Sequence, residues 1–202
     1  SPTNRPIVQH AMRGIARTIG TAQRHAQPFS KRLLARIARA TPLSTSLDLR
    51  DRAILFLGFA GAFRRAELAA IMIPDIAFTA RGMLITLHRS KTDQTQIGRK
   101  VAIPRTDSTV CAVAAVERLL RSLDDRSDAL FRRVHRSGRW LTQQLSSAYI
   151  STLIKQRLRA IGVDAEKYSG HSLRAGLVTE AARAGVPTWK IRQQTGHKSA
   201  AT

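Results

Sequence analysis

Three short stretches carry residues of the type and spacing that could act on a phosphodiester: Arg64-Arg65-Ala66-Glu67-Leu68, His171-Ser172-Leu173-Arg174 and Gly196-His197. Attack on a phosphodiester builds negative charge on the non-bridging oxygens, so catalysis without a metal needs fixed cations and donors aimed at them. Guanidinium suits that task because it is always charged and forks onto two oxygens. Imidazole titrates near neutrality, so His171 can help take a proton from a nucleophile. A spacing of three residues sets His171 beside Arg174, and Arg64 beside Glu67, on one side of a helical turn. Either pair alone is common on a basic helix, where it is simply exposed. The ordered set is what carries weight.

The body around these residues is strongly basic. The chain has 202 residues, with 34 Lys and Arg against 13 Asp and Glu, and a formal net charge of +21. That length supports one ordinary domain with a fragment of a second, and 43% hydrophobic residues suffice for a globular core. A positive surplus of this size favours a polyanionic partner, because each neutralised phosphate releases condensed counterions. Nucleic acid is the first candidate and an anionic membrane surface the second. No apolar run reaches the length of a bilayer span, and no secretory leader opens the chain. Cys111 is the single cysteine, which excludes an internal disulfide and a multi-cysteine zinc site. It falls in an apolar helical pattern and is expected to be a buried, inert thiol. A cytoplasmic protein that reaches nucleic acid is the expectation. The opening on Ser1 rather than Met is what a piece of a longer product would show.

The elements that must position the site follow from periodicity. Val8, Met12, Ile15 and Ile19 recur at helical steps, with Gly20 as a stop, and Thr21 to Pro28 has little periodicity and reads as a linker. Ser30 can cap a helix carrying Leu33, Leu34 and Ile37, closed at Thr41-Pro42. From about Asp48 an apolar helix through Ala53-Ile54-Leu55-Phe56-Leu57 runs to Gly58–Gly61, and Arg64 to Ala70 forms a short helix or turn after it. Asp75–Thr79, Met83–His88 and Lys100–Ile103 read as strands, with a polar hairpin tip from Ser90 to Arg99. Helical pattern resumes over Thr109–Leu123, capped by Asp107 or Ser108, and over Thr142–Ile161. It continues from Ser172 to Ala184 and in a short helix opened by Pro187. The expected fold class is mainly α with one small antiparallel β-sheet, an α+β domain.

The ordered set resembles the catalytic domain of the tyrosine recombinases, the phage-integrase family, whose chemistry is shared with type IB topoisomerases. The stretches Ser169-Gly170-His171-Ser172-Leu173-Arg174-Ala175-Gly176 and Thr195-Gly196-His197-Lys198 carry the resemblance most strongly. It implies a catalytic domain over residues 30–202, a linker over 21–29, and over 1–20 the last helix of a preceding core-binding domain. It implies that Arg64 and Arg174 are the family's two arginines, that His197 donates to the same phosphate, and that Glu67 orients its basic neighbours. Lys91, in the hairpin tip, matches the lysine that protonates the leaving oxygen. Arg24, Lys31, Arg65 and Lys198 are the expected DNA-contacting residues, Arg24 and Lys31 because no acid precedes Asp48 to balance the basic leading segment. No metal or other cofactor is implied. The partner is double-stranded DNA, held by a homo-tetramer of the whole protein, whereas this piece is expected to be monomeric. Ala175 stands where many members carry a second His; a sizeable subgroup lacks it.

Several residues have a plainer reading. Lys100 rivals Lys91 for the hairpin role, but Ser90-Lys91-Thr92 follows the second strand directly. His88 and His135 are expected to be exposed or locally bonded, the acidic cluster Asp124, Asp125 and Asp128 to be a solvated helix-end turn, and Trp140 and Trp189 to pack. The family's attacking tyrosine follows Gly-His by nine residues, which from His197 gives position 206. The tyrosines of the chain are Tyr149 and Tyr168, both expected to be structural. The resemblance therefore implies an enzyme that breaks and rejoins DNA, with this chain holding the phosphate but lacking the nucleophile. The alternative is a catalytically inactive DNA-binding protein with the same fold; a basic RNA-binding protein that matches by coincidence is a third reading.

Overall fold

A computed structural model of the chain describes residues 5–19, 26–88, 98–124 and 126–196. The order is α1 (Pro6–Ile19), α2 (Lys31–Ala40), α3 (Ser46–Ala60), α4 (Arg65–Ala69), β1 (Ile76–Thr79), β2 (Gly82–Leu87), β3 (Arg99–Pro104) and α5 (Ala112–Ser122). Then come β4 (Arg132–Val134), β5 (Trp140–Gln144), α6 (Ser147–Arg159), α7 (Ser172–Arg183) and α8 (Thr188–Thr195). Helices dominate and the sheets are small and antiparallel, as the patterning predicts.

Helix α3 is the hub. Ala53 to Phe59 are all buried, and a helix apolar on every side must be surrounded; α2, α4, α5, α6 and α7 all pack on it. It begins at Ser46, two residues before Asp48, because the Thr45 hydroxyl accepts the Asp48 N–H at 3.1 Å. Ser30 caps α2 in the same way, accepting from the Leu33 N–H at 3.1 Å. Just ahead of α2, the Phe29 N–H donates to the Ser172 carbonyl at 3.0 Å. The buried Phe29 ring meets Tyr168 edge-on, with centroids 5.2 Å apart, which pins this stretch to the start of α7.

Charged side chains also tie the helices together. Arg157 of α6 reaches Asp48 at 2.8 Å and Asp51 at 2.7 Å, and Arg50 reaches Asp51 at 2.8 Å. Tyr149 takes the Arg50 guanidinium over its ring at 5.1 Å. Buried charges persist only when paired, so this network holds α6 in one register on α3. It also gives Tyr149 its expected structural duty.

The three-stranded sheet runs β1-β2-β3. Met83 faces Ile103, and Ile85 faces Val101, all buried. Because strand side chains alternate, Arg99 falls on the same inner face as Val101 and Ile103, while Lys100 is exposed on the other.

The structure corrects three expectations. The start of the helix expected over Thr142–Ile161 is strand: β5 pairs with β4 to make a second sheet, and α6 begins only after the Ser146 cap. Thr142-Gln143-Gln144 supplies no apolar stripe to bury. The hairpin is instead held by Trp140, whose indole N–H donates to the Ser122 carbonyl at 2.7 Å, and by buried Arg132 on Asp124 at 2.6 Å. Helix α5 begins at Ala112, with Cys111, buried as expected, in the capping position, because Ser108 closes a turn on the Cys111 N–H instead of capping. Asp124, a third exposed just after α5, also pairs with Arg126 and Arg132, Asp128 is exposed, and Asp125 lies outside the described residues. Trp189 does not pack: it is 62% exposed, its ring meeting only the Lys190 ammonium at 5.4 Å among the ring contacts described. Among the described residues, no helix is long and apolar enough to cross a membrane.

Candidate active site

The site is built where α3 ends. After Gly61 the chain turns through Ala62, fully buried at φ 48°. This left-handed conformation costs a residue with a Cβ about 1 kcal/mol, and the surrounding packing must impose it. The Ala62 carbonyl accepts a hydrogen bond from the Arg174 guanidinium at 2.7 Å. Two residues on, Arg64 stands in extended backbone as the cap of α4. Glu67 reaches back to it: one carboxylate oxygen accepts the Arg64 N–H at 2.8 Å, and the other accepts its guanidinium at 2.7 Å.

A second guanidinium, that of Arg99, donates to Glu67 at 3.0 Å. Burial by itself would push the Glu67 carboxyl up. The Arg64 N–H and guanidinium, with the Arg99 charge, outweigh it and hold Glu67 below its ordinary value of 4.5. Glu67 is thus a fixed anion at neutral pH, able to orient and unsuited to act as a base.

Arg174 lies in the first turn of α7 and is 7% exposed. Burial, then the nearby Arg64 charge and less strongly that of Arg99, lower its guanidinium to about 10, with Glu67 acting against them. It remains a cation at neutral pH. Its position depends on Gly58 in the middle of α3. A Cβ there would lie 2.8 Å from both Leu173 and Leu68, so the glycine lets α7 and α4 close on α3 together.

The structure therefore brings Arg64, Glu67 and Arg174 together, 110 residues apart in sequence though Arg64 and Arg174 are. His171 stands exposed at the start of α7, its N–H on the Ser169 hydroxyl at 3.2 Å and its ring making no hydrogen bond to a described residue. Arg65 is exposed and donates to Ser151 of α6 at 2.9 Å, and Lys31 is exposed at the start of α2. Arg24, Lys91, His197 and Lys198 lie outside the described residues. His88 pairs with Asp75 at 2.7 Å and His135 with Ser137 at 2.9 Å, both locally bonded as expected.

Sequence reasoning missed Arg99, Ala62 and Gln194. Arg99 had a signal: the alternation of Val101 and Ile103, extended back by two, puts a cation on the buried face, where it must find an anion. Ala62 and Gln194 act through main-chain carbonyls, which no residue type announces. Three guanidiniums around one carboxylate leave a concentrated positive surplus, suited to a phosphate oxygen.

These residues sit within a region, 27–202, that matches the Phage integrase family. The chain is 36% identical over 200 residues to the integrase/recombinase xerD homolog of Selenomonas ruminantium, covering 98% of this chain and 59% of that protein. It is 32% identical over 163 residues to recombinase cre of Escherichia phage P1, covering 74% of this chain and 46% of that one. Among solved structures it superposes on a lambda integrase tetramer bound to a Holliday junction with a TM-score of 0.62, at 17% identity, covering 95% of this chain and 56% of that chain. The chain belongs to the phage integrase family. It spans between about half and three fifths of the length of these curated relatives.

Proposed function

We propose that the protein to which this chain belongs is a site-specific recombinase that cuts and rejoins duplex DNA through a 3′-phosphotyrosyl intermediate. The observation that carries this reading is Arg174, a buried cation held on the Ala62 carbonyl beside Arg64. Arg64 and Arg174 bind the non-bridging oxygens as negative charge builds on them. Glu67 orients Arg64, and His197 donates to the same phosphate. His171 assists in taking the proton of the attacking tyrosine, whose oxygen bonds to phosphorus as the bond to the 5′ oxygen breaks. Lys91 protonates that leaving oxygen. Attack by a 5′ hydroxyl on the phosphotyrosine then reverses the sequence, so no high-energy cofactor is consumed.

We place the nucleophile near position 206 on the family's spacing of nine residues after Gly-His; Tyr149 and Tyr168 are engaged with Arg50 and Phe29. Residues 1–202 alone would then hold the scissile phosphate without cleaving it. Residues 1–20 fit the last helix of a core-binding domain; the family match begins only at residue 27. The related tetramer on a Holliday junction supports a tetrameric working form for the whole protein, with this piece monomeric. A bacterial relative and a phage relative support a cytoplasmic place of action, where such a protein meets its DNA.

The test is a nicked suicide duplex carrying the recombination site, offered to the protein extended through a tyrosine near 206. A covalent protein–DNA adduct is expected, lost in Arg174→Ala while binding is largely kept. An undiminished adduct in Arg174→Ala overturns the assignment. No adduct from the extended protein, with DNA binding intact, selects the inactive DNA-binding alternative.

A further inference from the structure

Helix α8 leads into the Gly196-His197 motif, yet among its residues only Thr195 is buried. Apolar packing therefore does little to fix its last turn, and polar ties must. Arg99 supplies the central one. Its Nη1 donates to the Gln194 carbonyl at 2.6 Å, while its Nη2 donates to Glu67 at 3.0 Å. The same side chain lies against Gly196, where a Cβ would come within 3.0 Å of the Arg99 Nε. Gly196 itself turns at φ 67°, the left-handed cap that ends the helix. The Gln194 side chain adds bonds to the Ala60 carbonyl at 3.2 Å and the Ala102 carbonyl at 3.3 Å.

The Gln194 carbonyl lies in the last turn of α8, where carbonyls lack helical partners and the helix dipole favours a cation. A planar fork can bridge that carbonyl and the Glu67 carboxylate at once; an ammonium on a flexible stem cannot hold both directions. Arg99 is also the first residue of β3, facing Leu87 at the end of β2. One side chain thus joins the base of the hairpin, the anion that orients Arg64, and the turn that precedes His197.

We propose that Arg99 is a positioning residue of the cleavage reaction: it bridges Glu67 and the Gln194–Gly196 turn, and so fixes the end of α8 relative to Arg64 and Arg174. The proposal rests on the recombinase reading above. It assigns Arg99 no contact with the phosphate, so its loss should act on the chemical step rather than on DNA affinity. Misplacing a catalytic group by about 1 Å costs on the order of a hundredfold in rate.

The test compares Arg99→Ala and Arg99→Lys with the parent, in the protein extended through a tyrosine near 206. Three quantities are read: DNA dissociation constant, single-turnover rate of adduct formation on the suicide duplex, and amide hydrogen exchange at Thr195 and Gly196. For Arg99→Ala the expected result is an affinity within about threefold, an adduct rate lower by about tenfold to a hundredfold, and faster exchange at both amides with the α3 core unchanged. Arg99→Lys should recover affinity fully but the rate only in part. An adduct rate within twofold of the parent overturns the proposal, as does unchanged exchange at Thr195 and Gly196. A tenfold loss of affinity also overturns it, by making Arg99 a phosphate contact. If the parent forms no adduct, the recombinase reading itself fails, and the exchange data alone decide whether Arg99 anchors α8.

Discussion

Arg174 donates to the main-chain carbonyl of Ala62 at 2.7 Å, which locks the first turn of α7 to the turn that ends α3. Arg64 leaves that same turn two residues later, so a single backbone feature sets both arginines. Lysine at 174 would keep a charge but lose the planar fork and its reach to the carbonyl. We expect Arg174→Lys to lower unfolding stability in urea by about 1–3 kcal/mol, the cost of leaving a buried carbonyl without its donor. Stability equal to the parent would show that the bond contributes nothing to the fold.

Glu67 should make a distinct contribution to acid stability. Its folded carboxyl lies below the ordinary 4.5. A depressed carboxyl stabilises the fold fully above its unfolded value, and that contribution is lost as pH falls through the folded one. The stability difference between the parent and Glu67→Gln should therefore be constant near neutrality and shrink progressively below about pH 4.5. Paired urea titrations across pH 3 to 7 read it directly, and a difference independent of pH contradicts the assignment of a buried anion here.

Asp51 is 3% exposed and is shared by Arg50 and Arg157. Removing one partner from a buried charge network strands the others. Asp51→Ala should cost about 3–5 kcal/mol, seen as a large drop in the thermal midpoint. Because Arg157 belongs to α6, exchange should rise in that helix first. A loss below about 1 kcal/mol would mean that water reaches these arginines freely.

The net charge of +21 predicts a steep salt dependence. DNA affinity should fall by about 10³ or more between 50 and 200 mM salt if six or more phosphates are contacted. Arg65→Ala should weaken binding modestly and reduce the salt slope by about one contact. A flat salt response would assign the charge to some other partner.

Much of this was legible because it is local. The Ser30 cap, the apolar run of α3 and the Arg64–Glu67 and His171–Arg174 spacings each lie within a few residues. What was misread depended on distant partners. Trp140-to-Gln144 is a strand because β4 and the Ser122 carbonyl are there to receive it. Arg99 belongs to the site because Glu67 and Gln194 converge on it from other elements.

The sequence by itself determined the residue types of the site, their order and the family they belong to, since charge, spacing and capping are properties of short stretches. The tertiary structure decided how those residues act. Gly58 admits α4 and α7 side by side, Ala62 takes a left-handed turn that only packing can impose, and a carboxylate 6% exposed is divided between two arginines. Folding sets the Glu67 carboxylate between two arginines and confines the Arg174 cation on a main-chain carbonyl, and neither arrangement exists until the chain has folded.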